Sequence, residues 1–221
     1  MIRFEHVSKR YDNGHDALKQ VSFELGLGEM VFLTGHSGAG KSTILKLIAL
    51  LEETSQGTIY LRGQNISHLS RNAKPKLRRE MGIILQSPQL FLEQTAFDNV
   101  GLPLQISNTP YQEAQRRIRA ALDKVGLLSK EKVLCSNLSM GEKQRINIAR
   151  AVVSRPSLLL ADEPTGNLDP KLSAEIMQLF AEFHSVGTSV LFATHDLSLI
   201  ARQKHRILRV NQGRLLAGES A

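Results

Sequence analysis

VFLTGHSGAGKSTILKLI, residues 31–48, decides how the rest of the chain is read. An apolar run ends at Thr34, a loop fills Gly35–Gly40, and a helical apolar pattern opens at Lys41. The segment Gly35–Ser42 fits G-x-x-x-x-G-K-[ST], in the strand-then-helix setting that gives this pattern its meaning. Gly35, Gly38 and Gly40 free the backbone so that N–H groups can turn inward around a phosphate, with His36, Ser37 and Ala39 between them. Lys41 is expected to reach the β- and γ-phosphates of a nucleotide. Ser42 should offer its hydroxyl to Mg²⁺, with Thr43 closing the loop. A chance match in a chain of this length is on the order of one per cent.

A second apolar strand, Ser157–Ala161, runs into Asp162 and Glu163. Acids at the C-terminal end of such a strand face the crevice where α/β sheets bind ligands. Asp162 is expected to hold Mg²⁺, and Glu163, pointing elsewhere, to orient or deprotonate a water. His195 ends the strand of VLFATHD and is expected to contact a γ-phosphate. Gln86 ends GIILQ, and its amide can serve Mg²⁺ or water. Taken singly, each of these would more simply be a helix-capping acid, a structural histidine or a strand-end amide.

LSMGEKQR, residues 138–145, reads as a helix start. Ser139 and Glu142 form an S-x-x-E capping box, Ile146, Ala149 and Val153 form an apolar stripe, and Pro156 ends the run. A helix N-terminus favours an anion.

The other candidate strands are Arg3–Val7, Val21–Glu24, Met30–Thr34, Thr58–Leu61, Gly82–Gln86, Ser189–Ala193 and Arg206–Val210. Helices separate the later ones, which predicts an α/β core with a largely parallel sheet. Residues 87–155 carry no convincing strand and read as a helical insertion. One helix there has Thr109 as N-cap, Pro110 at its first position and Gly126 just past its end.

The 221 residues are 42% hydrophobic and 22% charged, which is ordinary for a globular chain. MIRFEHVSKRYD lacks the apolar core of a signal peptide. ILKLIALL at 44–51 is too short to span a bilayer and contains Lys46, so a soluble chain is expected. The lone Cys135 excludes an internal disulfide and fits a reducing compartment as a small core filler. The net charge of +7 is compatible with nucleic acid or an anionic membrane. It gathers at Lys74, Lys76, Arg78 and Arg79, at Arg116, Arg117 and Arg119, and at Arg202, Lys204, Arg206 and Arg209. Solvated helix faces explain these clusters equally well.

GHSGAGKS, LSMGE and LLLADEPTGNLD, in this order, resemble the nucleotide-binding subunits of ABC ATPases, over essentially the whole chain. The resemblance implies a P-loop NTPase core of the RecA type with an antiparallel β edge and an inserted α-helical subdomain. Residues 1–86 and 156–221 would form the core and 87–155 the subdomain. It implies a homodimer in the ATP-bound state, facing head to tail. Each ATP would lie between one molecule's phosphate loop and the other's Ser139 and Gly141 N–H. By the same resemblance Tyr11 stacks on adenine, where otherwise it is a strand-edge aromatic. Asp169 crosses the dimer interface, where it can also cap a helix beside Pro170.

DEPTGNLD, and Glu142 in place of the usual signature glutamine, resemble the branch that serves force-transmitting membrane proteins. That branch includes cell-division, lipoprotein-release and macrolide-export ATPases. MIRFEHVSK, GHSGAGKST, ALDKVGLL and ATHDLSLI are most similar to the cell-division members. This implies an integral membrane partner resembling FtsX, control of septal peptidoglycan hydrolysis, and a peripheral place on the cytoplasmic face of the bacterial inner membrane. Leu90 and Phe91 are expected at the docking surface, or else packed inside the insertion. The alternative is an ATPase of a lipoprotein-release or macrolide-type system. A soluble ABC protein on DNA or ribosomes would carry a long coiled coil or a second nucleotide domain, and neither is present, so no specific nucleic acid is expected. Glu163 argues against a non-hydrolysing scaffold. Met140 departs from the family's glycine. It is strained if its φ is positive and ordinary if it is simply the first residue of the helix.

Overall fold

The computed structural model describes residues 1–166, 168–201 and 204–216. Asn167 of the DEPTGNLD stretch and Arg202 of the third basic cluster lie outside the described residues. The first half of the chain runs β1 (Ile2–Arg10), β2 (Asp16–Leu25), β3 (Met30–Thr34), α1 (Lys41–Ile48), β4 (Gln56–Leu61), β5 (Gln64–Asn65), α2 (Ala73–Arg78) and β6 (Met81–Ile84). Then follow α3 (Ala96–Ile106), α4 (Tyr111–Lys124), two 3₁₀ turns and α5 (Met140–Val152). The chain continues through β7 (Leu158–Asp162), α6 (Pro170–Ser185), β8 (Ser189–Thr194), α7 (Leu197–Ile200), β9 (Arg206–Asn211) and β10 (Arg214–Leu215).

Two sheets result. One is antiparallel, in the order β2-β1-β4-β5. The other runs β10-β9-β3-β8-β7-β6 and is parallel except for β10. The parallel sheet is covered on both faces, which is why its strands read as unbroken apolar runs. Along β3, Val31 and Leu33 pack with Phe4, Ile44 and Leu160 in the core shared with α1 and the antiparallel sheet. Met30 and Phe32 point the other way, into the core with Ile146, Ile176 and Phe192. All described elements between β6 and β7 are helical, apart from one isolated bridge between Thr95 and Leu134. The fold is therefore mixed α/β, a sheet core with a helical subdomain.

The strands expected from sequence are present, and those of the antiparallel sheet run longer. Alternate residues of β2 face solvent, so its apolar stretch understates its length. The helical cap at Thr109 is corrected by one residue. Pro110 has an extended ψ of 139° and is itself the N-cap of α4, its carbonyl accepting from Ala114 N–H at 2.9 Å. Gly126 follows the helix with φ 69°, as expected. The capping box of Ser139 and Glu142 is formed. Among the described residues no helix is long and apolar enough to cross a membrane.

Candidate functional site

β3 pairs with β8, and β8 with β7, all parallel, so three C-terminal strand ends lie side by side. From them emerge the glycine loop, Asp162 with Glu163, and His195. Gly35, Lys41, Ser42, Gln86, Glu163 and His195 line a cleft of about 680 Å³, with the buried Asp162 behind Ser42. Gln86 sits two residues beyond the end of β6 at Ile84, so it is a loop residue and not a strand end.

Gly35, Gly38 and Gly40 all have positive φ, and at Gly35 and Gly40 a side chain would also have no room. Gly35 has φ 151°, and a Cβ there would meet the Val210 carbonyl at 2.2 Å. Gly40 has φ 116°, and its Cβ would fall 2.8 Å from the Ala17 carbonyl. Lys41 is buried, and its ammonium donates to the carbonyls of Gly35 at 2.8 Å and His36 at 3.2 Å. It also lies 3.5 Å from Glu163 Oε1. Its charge is thus held at the mouth of the loop. His36 also lines the cleft and is exposed, with Nε2 3.2 Å from Asn211 Oδ1 and Nδ1 2.6 Å from the Ser37 carbonyl. The hydroxyl of Thr43 is 3.3 Å from that of Tyr11, which brings Tyr11 to the loop's edge, with Lys9 over its ring at 4.9 Å.

Ser42 Oγ donates to Asp162 Oδ1 at 3.0 Å. Burial raises the Asp162 pKa, and Glu163 pushes the same way, while Ser42 and Lys41 oppose. Two hard oxygen donors at one point, one of them a buried anion that a cation would relieve, fit Mg²⁺. Glu163 is turned away from Asp162 by a φ of 48°, uncommon for a residue with a side chain. Its Oε2 is 2.9 Å from His195 Nδ1, and its carboxylate is buried while His195 is mostly exposed.

Ser139 and Gly141 do not line this cleft. The Ser139 hydroxyl accepts from Glu142 N–H at 3.3 Å, and the Glu142 carboxylate accepts from Ser139 N–H at 2.9 Å. The Ser139 O–H and the Met140 and Gly141 N–H groups are left with no intrahelical carbonyl to bond. Gly141 packs against α6, where a Cβ would come 2.5 Å from Leu172 Cδ2. Met140 is the first residue of α5, is 58% exposed, and is not among the residues of positive φ. It also borders a smaller cleft of about 270 Å³ with Gln86, Pro88 and Glu163. Asp169 caps α6, its Oδ1 accepting from the Lys171 and Leu172 N–H groups at 3.1 Å. Asn211, Leu216 and Arg209 also wall the main cleft, a role that no motif of the sequence marks. Their position follows from β9 pairing beside β3, which no local pattern announces.

Comparison with known proteins agrees with this geometry. A family model described as ABC transporter matches residues 18–166. The chain is 53% identical over 218 residues to the cell division ATP-binding protein FtsE of Escherichia coli K12, covering 99% of this chain and 98% of the relative. It is 47% identical to FtsE of Haemophilus influenzae, covering 97% and 99%. The dimeric structure of the ATP-binding cassette MJ0796 bound to ADP and Pi superposes with a TM-score of 0.93 at 32% identity, covering 100% of this chain and 98% of that one.

Proposed function

The chain belongs to the ABC transporter family, and we propose that it is the ATP-hydrolysing subunit of a cell-division assembly, acting as an ATP-bound homodimer on an integral membrane partner resembling FtsX. The carrying observation is the convergence of Lys41, Ser42, Asp162 and Glu163 at adjacent strand ends. Backbone N–H groups from Gly35 to Thr43 cradle the phosphates, and Lys41 exchanges its loop carbonyls for phosphate oxygens. Ser42, Asp162 and Gln86 would hold Mg²⁺, which when bound neutralises charge on the phosphoryl oxygens. Glu163 takes the proton of the attacking water, a contribution of about 10²–10⁴-fold. His195 holds that carboxylate through the 2.9 Å contact and faces the γ-phosphate.

Because Ser139 and Gly141 stand apart from their own cleft, they serve the nucleotide of a second copy, with Asp169 at the same interface. Tyr11 stacks on adenine with the ring face opposite Lys9. The assembly lies at the cytoplasmic face of the bacterial inner membrane and governs septal peptidoglycan hydrolysis. The relatives named for cell division support this reading over lipoprotein release or export. Purified protein should release phosphate from ATP only with Mg²⁺, and co-expression with the FtsX-like protein should bring it to membranes. Turnover that survives chelation would contradict the Ser42–Asp162 assignment. A chain that stays off membranes carrying that partner would contradict the partner.

A further inference from the structure

Glu142 sets an electrostatic problem for the site proposed above. It is the third residue of α5, where a carboxylate suits both the cap and the helix dipole. Yet that helix end is assigned to the γ-phosphate of a second copy, and a free carboxylate there opposes another anion. In the structure the carboxylate is engaged on both oxygens. Oε2 accepts from Ser139 N–H at 2.9 Å, and Oε1 accepts from the Lys130 ammonium. Lys130 first, then the Ser139 N–H, hold the Glu142 carboxyl below its ordinary pKa.

Lys130 is not part of the helix it serves. It ends the 3₁₀ turn Leu128–Lys130, which follows α4 after Gly126. Its N–H donates to the Leu127 carbonyl at 3.0 Å, and its carbonyl accepts from Val133 N–H at 3.0 Å. The next residue, Glu131, pairs with Arg119 of α4 at 3.1 Å. The ammonium therefore reaches α5 from a turn fixed at both ends. Lys143, the cation next to Glu142 in sequence, donates instead to the Ser136 carbonyl at 3.3 Å.

We infer that Lys130 is a positioning residue for ATP-driven dimerisation: it neutralises Glu142 and pins it as a cap, so that the Ser139 hydroxyl and the Met140 and Gly141 N–H groups meet the partner-bound phosphate without a competing charge. The inference rests on the head-to-tail reading of the signature helix. If the pair were only a stitch between turn and helix, deleting the acid could not repair the loss of the lysine. If charge is the issue, it must.

The test measures the protein concentration at half-dimerisation with ATP and Mg²⁺, by sedimentation, in a Glu163→Gln background that halts turnover. Lys130→Met should raise that concentration about fivefold at low salt, and less as salt screens the charge. Adding Glu142→Gln, which keeps a capping-box acceptor, should restore the parent value. ATP affinity of the monomer should not move, and the melting temperature should fall by no more than about 2 °C, because Lys130 is half-exposed. A Lys130→Met midpoint equal to the parent, or one that Glu142→Gln fails to restore, overturns the inference. Gly141→Asp is the control for the underlying reading. It should abolish dimerisation, and a normal dimer in that variant would remove the head-to-tail premise itself, whatever Lys130 does.

Discussion

Asp162 shows at the scale of one residue how the site trades stability for chemistry. Its pKa is raised chiefly by burial. For a group raised above its unfolded value, the stability it contributes is full below that value and is lost as pH rises through the folded pKa. At neutral pH the ionised Asp162 therefore burdens the nucleotide-free protein. Asp162→Asn, which keeps an oxygen for Ser42, should raise the ligand-free melting temperature by about 2–4 °C at pH 7. The gain should shrink as pH falls toward 4, and Mg²⁺-dependent turnover should be lost. A variant that melts lower at pH 7 would refute the burden. Met140 poses the opposite question. Its φ is not positive, so the substitution is an ordinary helical first residue without strain. Its side chain still projects beside the two groups assigned to the partner's phosphate, where crowding is felt at ~1–3 kcal/mol. Glycine would relieve that and weaken the helix start by up to ~1 kcal/mol. Met140→Gly should raise turnover several-fold at limiting protein concentration, with monomer nucleotide affinity unchanged. Superimposable curves of rate against concentration for the two forms would make Met140 neutral.

Among the elements, the segment between β6 and α3 links the cleft to the surface. Asn99 of α3 is fully buried and grips Phe91 from both sides: Phe91 N–H donates to its Oδ1 at 2.9 Å, and its Nδ2 donates to the Phe91 carbonyl at 2.9 Å. The backbone is fixed while the ring stays 58% exposed, and Leu90 packs on the helical core instead. Of the pair, Phe91 is the one open to a partner, five positions after Gln86, and we propose it as the docking residue. Phe91→Ser should leave the ATPase rate of the isolated protein intact and reduce co-sedimentation with partner-bearing membranes. Equal recovery of both forms in the membrane pellet would place docking elsewhere. The same elements show what the sequence could tell. The strands of the parallel sheet were legible because burial on both faces forces continuous apolar runs, and α5 was legible because its cap is local chemistry. β5 and β10, two residues each, carry no pattern, since pairing alone defines them. The cleft's far wall at Asn211 and the left-handed turn at Glu163 were hidden for a related reason. Both depend on where distant strands lie, which local spacing does not encode.

At the scale of the whole molecule, the two halves of the chemistry are built on different lobes. The phosphate loop, Asp162, Glu163 and His195 belong to the parallel sheet, and the free donors of α5 belong to the helical subdomain and do not line that cleft. On the proposed reading a single copy holds a nucleotide without completing the site around it, and a second copy would supply the missing donors. ATP would then be the ligand that joins them, and hydrolysis the event that lets them part. That cycle is what a membrane partner would feel as movement through the segment around Phe91. The central claim is that Glu163 drives hydrolysis within such a dimer, and the most direct measurement is the solution mass of Glu163→Gln with ATP and Mg²⁺, taken alongside its phosphate release. With ATP the variant should show twice the monomer mass, with ADP the monomer mass, and its release should be slowed by at least about a hundredfold. A variant that stays monomeric with ATP, or that releases phosphate at close to the wild-type rate, would contradict that claim.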